Sequence, residues 1–218
     1  MIGVLEKDKT ILFRHAFLIL LTASQLMGCA VLSTNTECGT EDSREYTMKN
    51  KELQLKDNST KYRMPVVFHV LYNTEAENIS KQEIENMLAT LSHDFTAKNI
   101  DLAEVPTEFK AFVGNPDITF YLANKLPNGE DTDGIIRKKT TNKSFKVRER
   151  KAFFQSKIIS PKSYLNVYIC DIKNSNAYTP TESNLAHDGI VIDYKRVFGG
   201  SRTLTHEVGH WLDLRHIF

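Results

Sequence analysis

The sequence predicts an α/β (α+β) domain with a sheet of about four or five strands, a long backing helix and a C-terminal helix bearing histidines. Three observations carry this. Apolar runs at residues 65–72 and 118–122 flank a helical pattern, the order of a crossover between parallel strands. Two further runs of high β-propensity lie at 164–172 and 189–194. The chain then closes on Thr205-His206-Glu207-Val208-Gly209-His210-Trp211-Leu212-Asp213-Leu214-Arg215-His216, which reads H-E-x-x-H-x-x-D-x-x-H.

The whole chain sets the bounds. Its 218 residues hold one domain with a sizeable core and short appendages. A net charge of +1 supplies no global field for nucleic acid or an anionic surface. Cys29, Cys38 and Cys170 are too few and odd in number for a disulfide framework.

Residues 1–28 read as a signal peptide. Lys7, Lys9, Arg14 and His15 precede the apolar run Ala16-Phe17-Leu18-Ile19-Leu20-Leu21, which is too short to span a bilayer. Leu26-Met27-Gly28-Cys29 resembles a bacterial lipoprotein box, with Cys29 as the lipidated residue. A plain secretory signal cut near Gly28 or Ala30, or a buried helix, are the other readings. Either export reading puts the mature protein outside the cytoplasm, secreted or as an outer-surface or periplasmic lipoprotein. Residues 29–62 are polar with few large apolar side chains, a linker or pro-segment that cannot bury much.

The domain proper is expected at 63–218. Residues 65–72 suit a strand buried on both faces, in which His69 is a hydrogen-bonded core histidine lying outside any metal spacing. Ser80-Lys81-Gln82-Glu83 forms a capping box ahead of Ile84, Met87, Leu88, Leu91 and Phe95 at helical spacing, predicting a helix over 80–98 with His93 exposed. Ile118 to Leu122 is a second strand, closed by the turn residues Pro127-Asn128-Gly129, and Gly134-Ile135-Ile136-Arg137 starts a third. Lys138, Lys139, Lys143, Lys146, Arg148, Arg150 and Lys151 make a basic run with little base-stacking equipment. It reads as a solvated surface insertion, and no nucleic-acid partner is expected. Cys170 sits in an apolar strand and packs as a small hydrophobe; if oxidised, its partner is Cys38 or a cysteine outside this chain.

Gly199-Gly200-Ser201-Arg202-Thr203 feeds the last helix, with Ser201 or Thr203 as its cap. Leu204, Val208, Trp211 and Leu212 face the sheet. On a helix His206 and His210 lie one turn apart, so two imidazoles can hold one metal ion. Glu207 is spaced for a general base rather than a ligand on that face. His216 meets the same ion only if the helix stops and the chain turns back, and Asp213 is the residue that can take the left-handed turn.

The run H-E-V-G-H-W-L-D-L-R-H-I-F resembles the extended zinc signature of the metzincin metallopeptidases, most closely the pappalysin branch and its cytophagalysin-like members. Residues 65–72, 164–170 and 188–192 fit that branch, so the resemblance covers roughly 60–218 and a short piece near Cys38. Asp213 departs from the clan, which usually has Gly there. The resemblance implies the upper subdomain of a metzincin, a twisted mixed sheet with a backing helix and a C-terminal zinc-binding helix. It implies one Zn2+ per chain on His206, His210 and His216, Glu207 as catalytic base, and a protein or peptide substrate paired with a sheet edge in or near 174–188.

Cys38-Gly39-Thr40 is similar to the pro-segment motif whose thiolate takes the zinc's open position and keeps the zymogen latent. Thr36 stands where that motif usually has a basic residue, and a free or disulfide-forming cysteine in a polar tail is the other reading. Metzincins carry a lower subdomain after the third histidine, so the sequence as it stands is expected to be truncated just after the zinc motif. The resulting expectation is a zinc metalloendopeptidase, with a catalytically inactive zinc-binding or surface lipoprotein fragment as the alternative. Membrane contact is expected only through a lipid anchor at Cys29. The residues do not specify cleavage preference, calcium requirement or oligomeric state.

Overall fold

A computed structural model describes residues 3–4, 38–40, 61–180 and 184–216. The expected signal peptide (all but residues 3–4), the lipidation site Cys29 and most of the 29–62 linker lie outside the described residues.

Strand β1 (Gly3–Val4) makes a two-residue parallel pairing with the start of β2 (Tyr62–Tyr72). The rest of the sheet is built around β2. On one side β3 (Ile118–Leu122) and β4 (Ile135–Lys139) pair with its two halves, both parallel. On the other side come β5 (Leu165–Cys170), then β7 (Ile190–Asp193), both parallel, and at the edge the antiparallel β6 (Ala177–Tyr178). The strand–helix–strand order does join parallel neighbours. Among the described residues the sheet has seven strands where the sequence predicts four or five, because β1 and β6 are each two residues long, with no periodicity to announce them.

A strand buried on both faces carries an apolar set on each. From β2, Met64, Val66, Phe68 and Val70 point into the larger core, where they meet the stripe of α1 (Lys81–Asp94): Ile84, Met87, Leu88, Leu91, followed by Phe95. Each fully buried side chain of this size contributes about 1.5–3 kcal/mol. Leu71 points the other way, onto Tyr168, Cys170, Phe145, Phe153 and the short helix α2 (Lys151–Gln155). The lysines of the basic run are exposed, but Phe145 and Phe153 within or beside it close this second core, so the run is a surface only on its outer side. Cys38 and Cys170 are both free thiols, which removes a disulfide between them.

Helix α1 starts as expected, with the Ser80 hydroxyl accepting from the Glu83 N–H. It ends four residues earlier than the predicted 98. Ala97 takes a left-handed φ of 50°, the Lys98 N–H reaches back to the His93 carbonyl and the Ala97 N–H to that of Asp94. This is a Schellman ending with alanine where glycine is usual. The sequence offered no stop signal there.

His69 is fully buried, as read. The Asn166 amide nitrogen donates to the Ile159 and Tyr164 carbonyls, so its oxygen must accept. The facing His69 Nε2, 3.0 Å away, is therefore the protonated nitrogen, and Nδ1 accepts from the Ser156 hydroxyl at 2.7 Å. Burial pushes this imidazole down to about 4, which keeps it neutral at physiological pH.

Candidate metal centre and cleft

The histidine helix is α3 (Thr203–Trp211), pinned at both ends. Arg202, just before it, pairs with Asp101 through two nitrogens and with Asp94 at the end of α1 through Nε at 3.2 Å. The Thr205 hydroxyl donates to Asp94 Oδ2 at 2.7 Å. At the far end the Trp211 indole donates to Asp188 at 2.8 Å. Leu204, Val208 and Trp211 bury against the sheet. The predicted cap differs: Arg202 holds the N-cap position with no side-chain cap bond, while the Ser201 hydroxyl accepts from the Thr203 N–H. The Arg202 ion pairs anchor the helix start where a hydroxyl cap was expected.

The chain reverses at Asp213. Its φ of 74° is left-handed, with the Leu214 N–H on the Gly209 carbonyl and the Asp213 N–H on that of His210. His216 thereby swings back. His210 Nε2 lies 3.0 Å from His206 Nε2 and 3.1 Å from His216 Nε2, and the last pair are 3.2 Å apart. His210 Nδ1–H donates to the Leu214 carbonyl at 2.9 Å, which leaves the Nε2 lone pair facing its neighbours. Burial, then the neighbouring His210 and His216, pushes His206 down to about 4.

The fourth donor is Cys38 Sγ, 3.6 Å from His210 Nε2; with the three histidines it forms a group whose ligand atoms all lie within 4.8 Å of one another. Tetrahedral zinc, with bonds of about 2.0–2.1 Å to nitrogen and 2.3 Å to sulfur, sets its nitrogens about 3.3 Å apart and nitrogen from sulfur about 3.6 Å apart. The donor set fits such an ion.

Glu207 is 1% exposed and sits against this cluster. Its Oε1 faces Cys38 Sγ at 3.3 Å; its Oε2 accepts from the Thr179 hydroxyl at 2.7 Å and the Thr40 hydroxyl at 3.2 Å. Burial pushes its carboxyl up to about 7, against the pull of the Thr179, Cys38 and Thr40 hydrogen bonds. Burial, then the charge of Glu207, pushes the Cys38 thiol up to about 12. A divalent cation among these donors acts the other way on a coordinating thiol, deprotonating it.

Segment 38–40 lies along the edge of the sheet. Gly39 N–H donates to the Ala177 carbonyl of β6 at 2.9 Å, and the Thr179 N–H donates to the Thr40 hydroxyl at 2.9 Å. In the stretch 174–188 the edge strand of the sheet is β6, and Thr179 directly follows it. A Cβ on Gly39 would stand 2.8 Å from Val147 Cγ2 and 3.0 Å from Ser175 Oγ, so any side chain here forces Val147 to shift. Sequence reasoning missed Thr179, Val147 and Ser175, none of which belongs to a spaced motif; it finds Thr40 only as part of Cys38-Gly39-Thr40, without its contacts to Glu207 and Thr179.

Solved structures share this arrangement of elements. Mirolysin in complex with compound 9 is 36% identical, with a TM-score of 0.70, over 73% of this chain and 66% of that one. Tannerella forsythia mature mirolysin in complex with a cleaved peptide matches with the same identity and coverage at a TM-score of 0.69.

This chain belongs to the pappalysin-like metallopeptidases.

A Glu→Ala variant of T. forsythia promirolysin matches the pappalysin-like chain at 36% identity and a TM-score of 0.68, over 73% of this chain and 58% of that one. An extracellular metalloprotease of Arthroderma gypseum is 24% identical over 224 residues, covering 93% of this chain and 66% of the relative. No family model matches. The chain spans about two thirds or less of the length of these relatives.

Proposed function

We propose that this pappalysin-like chain is a zinc-dependent metalloendopeptidase, secreted like its extracellular relative, and that segment 38–40 holds it latent. His206, His210 and His216 hold the zinc, and Cys38 supplies a fourth ligand in the latent form. The observation that carries the reading is the gathering of three imidazole Nε2 atoms beside the buried Glu207 carboxylate. When bound, zinc supplies Lewis-acid chemistry, polarising a scissile carbonyl and making water a nucleophile near neutral pH.

The chain's own residues do the rest. Glu207 directs Oε1 into the cluster, where it can take a proton from water and pass it to the leaving amine. The Ala177 carbonyl and the Thr179 N–H, now used by segment 38–40, receive the backbone of an extended peptide added to the sheet edge. Segment 38–40 therefore occupies metal site, base and substrate edge together.

The test uses the full chain loaded with zinc. Cys38→Ala raises cleavage of a protein substrate over the unchanged chain, and adding Glu207→Ala abolishes it while one zinc per chain stays bound. Zinc bound with no cleavage by Cys38→Ala would mark an inactive zinc-binding module; no zinc bound would mark a vestigial surface lipoprotein.

A further inference from the structure

Glu207 can serve as a base only if one carboxylate oxygen is aimed at the cluster, and a lone glutamate side chain turns freely about its terminal bond. Three side chains hold it. Two of them, Cys38 on Oε1 and Thr40 on Oε2, belong to the segment that must leave before substrate enters. The third, Thr179, belongs to the body of the domain and is 2% exposed. Its hydroxyl is 2.7 Å from Oε2 and 3.1 Å from the Glu207 carbonyl, and a single proton goes to the nearer, charge-bearing acceptor.

Resting on the peptidase reading, we propose that Thr179 is the positioning residue of the general base: its hydroxyl fixes Glu207 Oε2 and so keeps Oε1 turned into the metal cluster once segment 38–40 has gone. The same residue presents its N–H on the cleft side, where Thr40 now accepts it. One residue of the sheet edge thus sets both the height of the substrate backbone and the plane of the base. Substrate docking and base orientation are coupled through a single rigid position.

The experiment pairs Thr179→Val, which keeps the shape and removes the hydroxyl, with Thr179→Ser, which keeps the hydroxyl. In the full chain, Thr179→Val lowers the unfolding midpoint by about 2–6 °C, and by under about 1 °C when Glu207→Ala is already present. In the zinc-loaded Cys38→Ala chain, Thr179→Val lowers kcat about 10- to 100-fold with KM within about twofold and zinc content unchanged. Thr179→Ser restores kcat to within about threefold of the parent, because the hydroxyl and not the methyl does the orienting.

The proposal is overturned if the two midpoint shifts are equal, if the loss falls on KM, or if the serine variant is as slow as the valine. A chain that shows the midpoint coupling yet cleaves nothing with Thr179 intact overturns the peptidase reading and leaves the Thr179–Glu207 contact standing.

Discussion

His216 Nε2 stands 3.1 Å from His210 Nε2 although the helix carrying His210 ends at Trp211 between them. On a continuous helix the six intervening steps would separate the two by about 9 Å along the axis. Asp213, at a φ of 74°, makes the difference.

Replacing Asp213 tests this turn. Asp213→Gly should leave stability and metal affinity close to those of the parent, since glycine takes positive φ without strain. Asp213→Val should cost about 1–3 kcal/mol in thermal unfolding, because a β-branched residue resists that conformation. Chelator competition should show its zinc affinity falling at least about tenfold, as expected when ligand orientation is lost.

The passage of segment 38–40 past Val147 should be equally strict. Gly39→Ala places a methyl 2.8 Å from Val147 Cγ2 and should lift the segment from the cleft. Reaction of Cys38 with a thiol reagent, followed in a Cys29→Ser chain, then accelerates by about tenfold or more if some 1.4 kcal/mol of contact is lost. Cys170 is fully buried and stays silent. Adding Val147→Ala should return the rate toward that of the parent.

Buried His69 makes stability fall in acid. Its imidazole is held at about 4 in the folded chain against about 6.5 when unfolded, so between these values the unfolded state binds the extra proton. Its stability is therefore intact above pH ~6.5 and lost progressively as pH falls toward ~4, by on the order of 3 kcal/mol. Urea unfolding across this window should show a shallower pH slope in His69→Gln than in the parent.

Gly209 lies inside α3, where a Cβ would meet only Leu214 Cδ1 at 3.6 Å, an ordinary contact. Gly209→Ala should therefore stabilise the chain by up to about 1 kcal/mol, the helix-propensity gain, measurable as a raised unfolding midpoint.

What could be read in advance was what repeats or what the backbone demands. The two-faced apolar run of β2 and the stripe from Ile84 to Phe95 followed from periodicity, and the Asp213 reversal from the spacing of His210 and His216. The missing pieces have no period. The edge strand β6 is set by its neighbour β7, the end of α1 by a left-handed alanine, and the start of α3 by an arginine reaching Asp94 and Asp101 from distant parts of the chain. Thr179 meets Glu207 across 28 residues, a relation that exists only once the sheet edge and the helix are side by side.

Cobalt loading of the full chain tests the central claim most directly, since the thiolate and imidazole ligands of one tetrahedral ion have distinct absorption. The account predicts one Co2+ per chain with a thiolate charge-transfer band. Cys38→Ala should remove the band and keep the stoichiometry, while His216→Ala should weaken binding sharply. Undiminished binding by His216→Ala, or a wild-type spectrum without the thiolate band, would contradict it.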